Sequence, residues 1–405
     1  MKYMKWYDDE VRDLGKSLIR FMNCQLLVDD LFFEQDLWVQ NGRVVDSFDA
    51  FYGDKLDAEY SVDCEHMLLA PSFIDLQVKG SSDIDLSGEE GNIIDKLRVI
   101  SKRLLRYGVT AFCPTITSSP SSFYHRILRE YKEYSADDNA AAAVLGFHME
   151  GPFLSTTKCG CHKRENLISE FSNGYASVEE VYGKCLDDVR MVTLAPELPN
   201  ALQVIAELTR RNVLVSLGYS SASVQIARKA VTMGARGITH LFNAMNTFSD
   251  QDMGIAGLLM GPHPSAVYYG IIADGFNCEP VAVKAAYHLC QGGLMLVSNE
   301  APLVYPENTE SIPKEPASEA DREEVNLTKT PVSGFVPVAE GVRSLVTYTG
   351  CDCAYALSCA SLHPAKFLGI DDVKGSLKPG CDADFVLLSD ELGVMATFVK
   401  GKRVF

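Results

Sequence analysis

Eight short runs with the composition of β-strands alternate with helix-like segments through the middle of this chain. Most runs are followed by a stretch with helical periodicity, such as 222–235. Parallel strands need crossover connections of this kind, so eight such units favour a closed parallel barrel over an open sheet. The runs are 68–78, 109–116, 143–150, 189–197, 212–219, 237–244, 268–274 and 293–299.

Both ends of the chain are rich in short strand-like runs and poor in helical patterns. Residues 37–48 indicate a hairpin with its turn at Asn41-Gly42, and 382–405 contains two more such runs. We therefore expect the two ends to meet in one small sheet domain. The segment 303–332 is rich in Pro, Glu and Ser, which predicts a flexible loop.

The charge balance and the cysteines limit the partners and the compartment. The chain has 37 Lys plus Arg and 54 Asp plus Glu, a net charge of −17. An acidic chain repels phosphate backbones, so we expect no nucleic-acid partner. We find no signal-like segment and no apolar run that could span a bilayer, so we expect no membrane partner. The 12 cysteines include no CxxC pair and are typical of a reduced, cytoplasmic protein.

In a parallel barrel, polar residues at the carboxyl ends of the strands form the candidate site. The set as a whole contains few strong metal ligands. The residues at the eight strand ends are Gln77, Thr115, Glu150, Glu197, Tyr219, His240, Asp274 and Asn299.

Several blocks of the sequence resemble motifs of the N-acetylglucosamine-6-phosphate deacetylases. HMEGPF at 148–153 is similar to the family's HLEGPF, and THLFNAM at 239–245 matches a second motif without change. LAPSFIDLQVKG at 69–80 resembles the family strand PGFIDxQxNGG. The resemblance runs in order from about residue 20 to the C-terminus.

This resemblance implies an α/β architecture with two parts. The larger is a distorted (β/α)8 barrel of the TIM type over 71–374, which includes the loop at 303–332. The smaller is a β-sandwich domain formed by 17–70 and 375–405. The resemblance also implies a cytosolic homodimer.

The resemblance further implies an amidohydrolase of amino-sugar catabolism, in which one divalent metal such as zinc activates the water that attacks the acetamide of an amino-sugar phosphate. Glu150 and His240 match metal ligands. Tyr219 stands where the family has a metal-binding His, and Asn299 stands where it has the catalytic Asp. A phenol keeps its proton at neutral pH, and a side-chain amide cannot shuttle a proton at that pH. We therefore expect weak or absent metal binding and weak or absent turnover.

The positions that the resemblance assigns to the substrate have also changed in part. Gln251 replaces a phosphate-binding Arg, Asn277 replaces a His, and Cys161 replaces an Ala. Charged hydrogen bonds contribute about 1.5–3 kcal/mol each, so we expect a lower affinity for a sugar phosphate. The other assigned positions are His162, Asn243, Ala244, Asp274, Gly275, Ser333 and Gly334.

Three functions stay open on these residues. One is an active deacetylase with relaxed requirements, the second is a non-catalytic pseudoenzyme that binds a sugar or a protein, and the third is a hydrolase of another acyl amine. Glu300 offers a substitute proton carrier, although neighbouring side chains near a strand end normally diverge. Cys159 and Cys161 offer a substitute thiolate ligand. Gln77 stands where the wider superfamily has a metal-binding His.

Overall fold

The computed structural model describes residues 1–14, 16–28, 31–46, 58–134, 140–261, 267–302 and 336–405. The strands are β1 Lys2–Lys5, β2 Ile19–Met22, β3 Gln25–Val28, β4 Leu31–Glu34, β5 Leu37–Gln40, β6 Arg43–Val44, β7 Tyr60–Asp63, β8 Leu68–Pro71, β9 Phe73–Val78, β10 Gly80–Ser81, β11 Ile84–Asp85, β12 Val109–Ile116, β13 Ala143–Val144, β14 Phe147–Glu150, β15 Val189–Leu194, β16 Leu214–Leu217, β17 Gly237–Ile238, β18 Tyr268–Ile271, β19 Leu294–Leu296, β20 Phe385–Leu388, β21 Val394–Val399 and β22 Lys402–Arg403.

The α-helices of the described residues cover the outside of the main sheet. They are amphipathic: the first, for example, buries Leu97, Ile100 and Leu104 on one face at helical spacing. None of the helices in the described ranges is long and apolar enough to cross a membrane. The helices are α1 Ile93–Leu104, α2 Ser121–Tyr131, α3 Tyr175–Tyr182, α4 Ala201–Arg210, α5 Val224–Thr232, α6 Pro280–Leu289, α7 Val338–Thr349, α8 Cys353–Ala360 and α9 Leu362–Leu368.

Eight parallel strands form the barrel, in the order β9-β12-β14-β15-β16-β17-β18-β19. Between β19 and β9 the ring is completed by an isolated parallel bridge that joins Val78 to Glu300. There the amide of Lys79 donates to the carbonyl oxygen of Glu300 at 2.6 Å. The predicted (β/α)8 barrel is confirmed, and its seam lies directly beside the residues that follow β9.

Strands from both ends of the chain form two further sheets, with the orders β1-β7-β2-β5-β6 and β22-β21-β20-β8-β3-β4. Their apolar faces pack together: the ring of Phe21 lies 4.9 Å from that of Phe385 and 5.4 Å from that of Phe398. This is the expected β-sandwich, and β5 and β6 are the expected hairpin around Asn41-Gly42. The domain boundaries themselves stay predictions.

The run 68–78, predicted as one strand, is two strands that serve different sheets. β8 pairs with β20 in the sandwich, and β9 pairs with β12 in the barrel. Ser72 stands between them, where its amide donates to the carbonyl oxygen of Asp384 and its hydroxyl lies 2.5 Å from that of Thr110. The predicted loop at 303–332, with Ser333 and Gly334, lies outside the described residues.

Candidate active site

Five predicted or newly seen site residues gather at the carboxyl-terminal end of the barrel. Glu150 ends β14, and Lys79, Tyr219, His240 and Asn299 each follow the end of a barrel strand. Parallel strands of a barrel all end on the same face, so their terminal side chains converge. The structure therefore brings together positions that are up to 220 residues apart in the sequence, as from Lys79 to Asn299.

The carboxylate of Glu150 is the centre of this cluster and has no contact with solvent. Its Oε1 atom accepts a hydrogen bond from Nε2 of Gln77 at 2.5 Å. Its Oε2 atom lies 2.8 Å from Nζ of Lys79 and 3.2 Å from Nε2 of His162. Nε2 of His240 is 3.6 Å from Oε1. Both oxygens of this carboxylate are thus already engaged by donors of the protein.

The Lys79–Glu150 pair is charged although it is buried. Burial by itself raises the pKa of Glu150, but the Lys79 ammonium and the donors His162 and His240 outweigh it and hold that pKa well below its usual range. Burial likewise lowers the pKa of Lys79, but the charge of Glu150, the nearby Cys161 and the hydrogen bond to Glu150 together outweigh it, so the lysine pKa is raised. At neutral pH the site therefore contains an ammonium bound to a carboxylate.

The ring of Tyr219 fills the space between two histidines. It packs edge-on against His162 at 4.5 Å and against His240 at 4.7 Å between ring centroids. A Cβ atom at Gly160 would come within 2.9 Å of this ring, so the loop that contains Gly160 is also closely packed against the ring of Tyr219. Burial, and after it the charge of Glu150, raises the pKa of Tyr219 well above its ordinary value. The phenol stays protonated and accepts a hydrogen bond from Lys79 at 3.3 Å.

The two histidines of the cluster differ in what their ring nitrogens do. Nδ1 of His162 accepts from the amide of Ser118 at 3.0 Å, so its Nε2 carries the proton that is donated to Glu150. Burial lowers the pKa of His162 despite that carboxylate. Nδ1 of His240 is buried without a hydrogen-bond partner in the described residues. His240 is therefore the one histidine of this cluster that has an unengaged ring nitrogen.

The side chains of Asn299 and Glu300 have different surroundings. Oδ1 of Asn299 is buried without a hydrogen-bond partner in the described part of the chain. The pKa of Glu300 is raised to about 8 by burial and then by Asp75, whereas Arg103 lowers it. The Asp75 carboxylate accepts from the hydroxyl of Ser298 at 2.5 Å and fixes the seam of the barrel. The charges that act on Glu300 thus belong to the seam and not to the Glu150 cluster.

Two of the expected substrate residues form a turn of their own. Oδ1 of Asp274 accepts from the amide of Asn277 at 2.7 Å, and Oδ2 accepts from its side-chain amide at 2.6 Å. Such a carboxylate ties its own loop together. Gly275 lies in this turn with φ 74°, where a Cβ atom would stand 2.8 Å from the hydroxyl of Tyr348. The closeness of that hydroxyl and the positive φ both favour glycine here.

The remaining expected substrate residues lie in loops around the cluster. Asn243 and Ala244 follow His240 and are half-buried, while Gln251 is exposed. Cys161 is exposed and Cys159 is buried, and both are free thiols. No group of three or more His, Cys, Asp or Glu side chains within the described ranges is arranged to hold a metal. A substitute thiolate ligand from Cys159 or Cys161 stays a prediction.

Backbone strain is concentrated at the same end of the barrel. Tyr219, His240, Ala244 and Asn299 have φ values of 48°, 29°, 50° and 51° although none of them is glycine. Such conformations cost of the order of 1–3 kcal/mol each and persist where the surrounding structure holds them, most often at functional sites. The strained positions therefore coincide with the candidate site.

The residues present do not fit a resident divalent metal. Glu150 is saturated by Gln77, Lys79 and His162, and Tyr219 keeps its proton. Among the described residues of this cluster, the unpartnered donor atoms are Nδ1 of His240 and the amide oxygen Oδ1 of Asn299. A zinc site needs three or four ligand atoms. The positive charge beside Glu150 is supplied by Lys79.

Comparisons with known proteins agree with this barrel and its strand-end motifs. A family model described as Amidohydrolase family matches residues 324–404. Curated N-acetylglucosamine-6-phosphate deacetylases of Mus musculus and Homo sapiens are each 39% identical to this chain over 396 residues, which is 96% of this chain and 96% of each relative. The chain belongs to the N-acetylglucosamine-6-phosphate deacetylase family.

A solved member of the N-acetylglucosamine-6-phosphate deacetylase family has the same fold. The crystal structure of the enzyme from Pasteurella multocida superimposes with a TM-score of 0.79, and the match covers 95% of this chain and 99% of that one at 22% identity. At this identity the likeness concerns the fold. The amidohydrolase family is generally metal-dependent, and in this chain a lysine lies beside Glu150.

The sequence patterns identified every member of the Glu150 cluster except Lys79. A lysine that directly follows a buried strand normally reaches solvent, so its position alone does not indicate a role in the site. One signal was present, since Lys79 stands at the Asn of the family strand PGFIDxQxNGG. A change from a neutral amide to a cation next to the metal position could have revealed it.

Proposed function

We propose that this chain is an N-acetylglucosamine-6-phosphate deacetylase-like protein that binds an N-acetyl amino-sugar phosphate and releases acetate from it weakly or not at all. The amidohydrolase barrel and the family membership support the ligand class. One observation carries the second half: both oxygens of the buried Glu150 are held by donors of the chain, with Lys79 at 2.8 Å.

Hydrolysis of an amide needs an activated water and a group that transfers a proton to the leaving amine. Tyr219 keeps its proton, and the side-chain amide of Asn299 neither takes up nor releases a proton at neutral pH. Loss of general acid–base catalysis alone typically lowers a rate by about 10²–10⁴-fold. The chain therefore lacks, at the two family positions, the groups on which the family reaction depends.

Binding is less affected than turnover on this proposal. Asn243, Ala244 and His162 keep the family's residues, and the Asp274 turn presents Gly275 at the same barrel end. Gln251 and Asn277 are neutral where the family has an Arg and a His. We therefore propose a sugar phosphate as the ligand. Its affinity is lower than it would be with cationic side chains at these two positions. Ser333 and Gly334 complete the proposed set of ligand residues.

The second candidate is a pseudoenzyme, a non-catalytic member of the family that binds a sugar or a protein. The same engaged Glu150 favours it, because a carboxylate that is saturated by the chain has no free oxygen for a metal or a water. We also propose that the protein is a cytoplasmic homodimer. The free state of its cysteines and the family resemblance support this assignment.

The test compares ligand binding with acetate release on one sample. Calorimetry with N-acetylglucosamine 6-phosphate measures binding, and an acetate assay with the Mus musculus relative as positive control measures turnover. We expect the sugar phosphate to bind. We expect acetate release to stay near background. Acetate release close to that of the relative would overturn the proposal, and an absence of binding would leave the protein-binding pseudoenzyme.

A gain-of-function variant tests the same proposal from the other side. Lys79→Asn, Tyr219→His and Asn299→Asp together restore the family's residue at three of the changed positions. We expect this triple variant to release acetate at least tenfold faster than the wild type in the presence of zinc. A triple variant that binds zinc and sugar phosphate but stays inactive would show that other residues limit turnover.

A further inference from the structure

A lysine side chain is enclosed in the barrel where the family resemblance places a metal. Nζ of Lys79 is 2.8 Å from Oε2 of Glu150 and 3.3 Å from the hydroxyl of Tyr219. The lysine side chain is 7% exposed and that of Glu150 is 0% exposed. We propose that the Lys79 ammonium is the resident cation of this site and that it excludes a divalent metal from Glu150.

The backbone holds this lysine in place. Its amide donates to the carbonyl oxygen of Glu300 at 2.6 Å, and its carbonyl oxygen accepts from the amide of Leu86 at 3.0 Å. Both hydrogen bonds fix the residue at the seam of the barrel, directly after β9. The side chain that leaves this fixed backbone is only 7% exposed, and its ammonium lies beside Glu150.

Charge explains why one cation replaces the other. A buried carboxylate requires a counter-charge, and either a metal ion or an ammonium can supply it. A metal bound to Glu150 would lie about 2.0–2.2 Å from its oxygen, close to the ammonium that already touches the same carboxylate. Two cations at that spacing repel each other strongly in a buried site.

The hydrogen bonds point the same way as the charges. Nδ1 of His162 accepts from the amide of Ser118, so its Nε2 donates its proton to Glu150 and has no lone pair for a metal. Gln77 donates to the second oxygen of Glu150. The ammonium and these donors engage both oxygens of Glu150, and among the described residues of the cluster His240 keeps an unengaged ring nitrogen.

This inference rests on the proposed function, because it assigns a cause to the weak or absent metal binding proposed there. The first test needs no variant. Wild-type protein is incubated with zinc, dialysed and analysed for its metal content. We expect less than about a tenth of a zinc per chain and no change in melting temperature with zinc or a chelator. One zinc retained per chain would overturn the proposal.

The second test separates Lys79 from the lost histidine ligand. Zinc affinity is measured by calorimetry for Tyr219→His alone and for Tyr219→His combined with Lys79→Asn. We expect zinc to bind the combined variant at least tenfold more tightly than the single one. Equal affinities would overturn the proposal, since they would show that the ammonium does not compete with the metal.

A control variant and a substitute variant accompany this test. Lys5→Asn in the Tyr219→His background removes an exposed lysine and is expected to leave zinc affinity unchanged. Lys79→Met, which keeps the volume of the stem, replaces Lys79→Asn if circular dichroism shows that the latter does not fold. Acetate release by metal-free wild type overturns the proposed function alone. Zinc-loaded wild type that releases no acetate overturns the cation assignment alone.

Discussion

The Nζ atom of Lys79 lies 2.8 Å from the Oε2 atom of Glu150 in the interior of the barrel. The chain offers a matched pair at its surface, since Nζ of Lys5 lies 2.8 Å from Oε1 of Glu65. The exposed fractions are 7% and 0% for the inner pair but 46% and 35% for the outer one. Distance is the same and burial differs, so the two pairs isolate the effect of burial.

Removal of the inner lysine should destabilise the fold far more than removal of the outer one. We expect Lys79→Met to lower the free energy of unfolding by about 3 kcal/mol, because it leaves Glu150 buried without its counter-charge. Chemical denaturation measures this. Adding Glu150→Gln should recover most of the loss, whereas Lys5→Met should change little. A Lys79→Met variant as stable as the wild type would contradict the prediction.

The stability of the protein should fall between pH 6.5 and pH 4 partly because of His148. Burial lowers the pKa of this residue from 6.5 to about 4. In this window the unfolded chain binds a proton that the folded chain does not, so stability rises with pH and is lost on acidification. The full effect is about 3 kcal/mol.

The pH prediction is checked by melting temperatures of the wild type and of His148→Gln between pH 4 and pH 7. Asp75, whose pKa burial raises to about 6, contributes a slope of opposite sign, but it is present in both proteins. The difference between the two curves therefore reports His148. We expect that difference to vary with pH, and a constant offset would refute the assignment.

Tyr219 should act as a space-filling ring and not as a metal ligand. Tyr219→Phe keeps the contacts with His162 and His240, whereas Tyr219→Ala leaves a cavity between them. We expect the alanine variant to lose about 3–5 kcal/mol of stability and the phenylalanine variant much less. A tyrosinate absorption band that grows when zinc is added to the wild type would contradict this role.

A cation at position 251 should strengthen phosphate binding. Gln251 is exposed and neutral where the family has an Arg. We expect Gln251→Arg to bind N-acetylglucosamine 6-phosphate about tenfold more tightly, consistent with the value of a charged hydrogen bond. Calorimetry measures the gain, and N-acetylglucosamine without phosphate is the control. An equal gain for both sugars would show that the new side chain does not contact the phosphate.

The sequence predicted the barrel well where strands are long and buried. The run 109–116 coincides with β12, which is buried at every position. Only two residues of the run 237–244, those of β17, form a strand. The chain then turns through residues with positive φ such as His240 and Ala244. Hydrophobic periodicity reports burial, and it does not report where a strand gives way to a strained loop.

The site residues were predicted from motifs. The prediction fails for a residue whose role depends on a contact with a partner that no motif specifies. Glu150, Tyr219 and His240 do lie together. Lys79 was missed because its burial follows from a tertiary contact with Glu150, which is 71 positions away in the sequence. Glu300 could be judged only after the structure placed it under the influence of Asp75 and Arg103.

Ser72 has a consequence for how the protein moves. It is the single residue between β8 of the sandwich and β9 of the barrel, and it is pinned to Asp384 and Thr110. The two hydrogen bonds restrain this one-residue connection. Force applied to the sandwich is therefore transmitted along β9 to the lysine at its far end, and the two parts should melt in a single cooperative step.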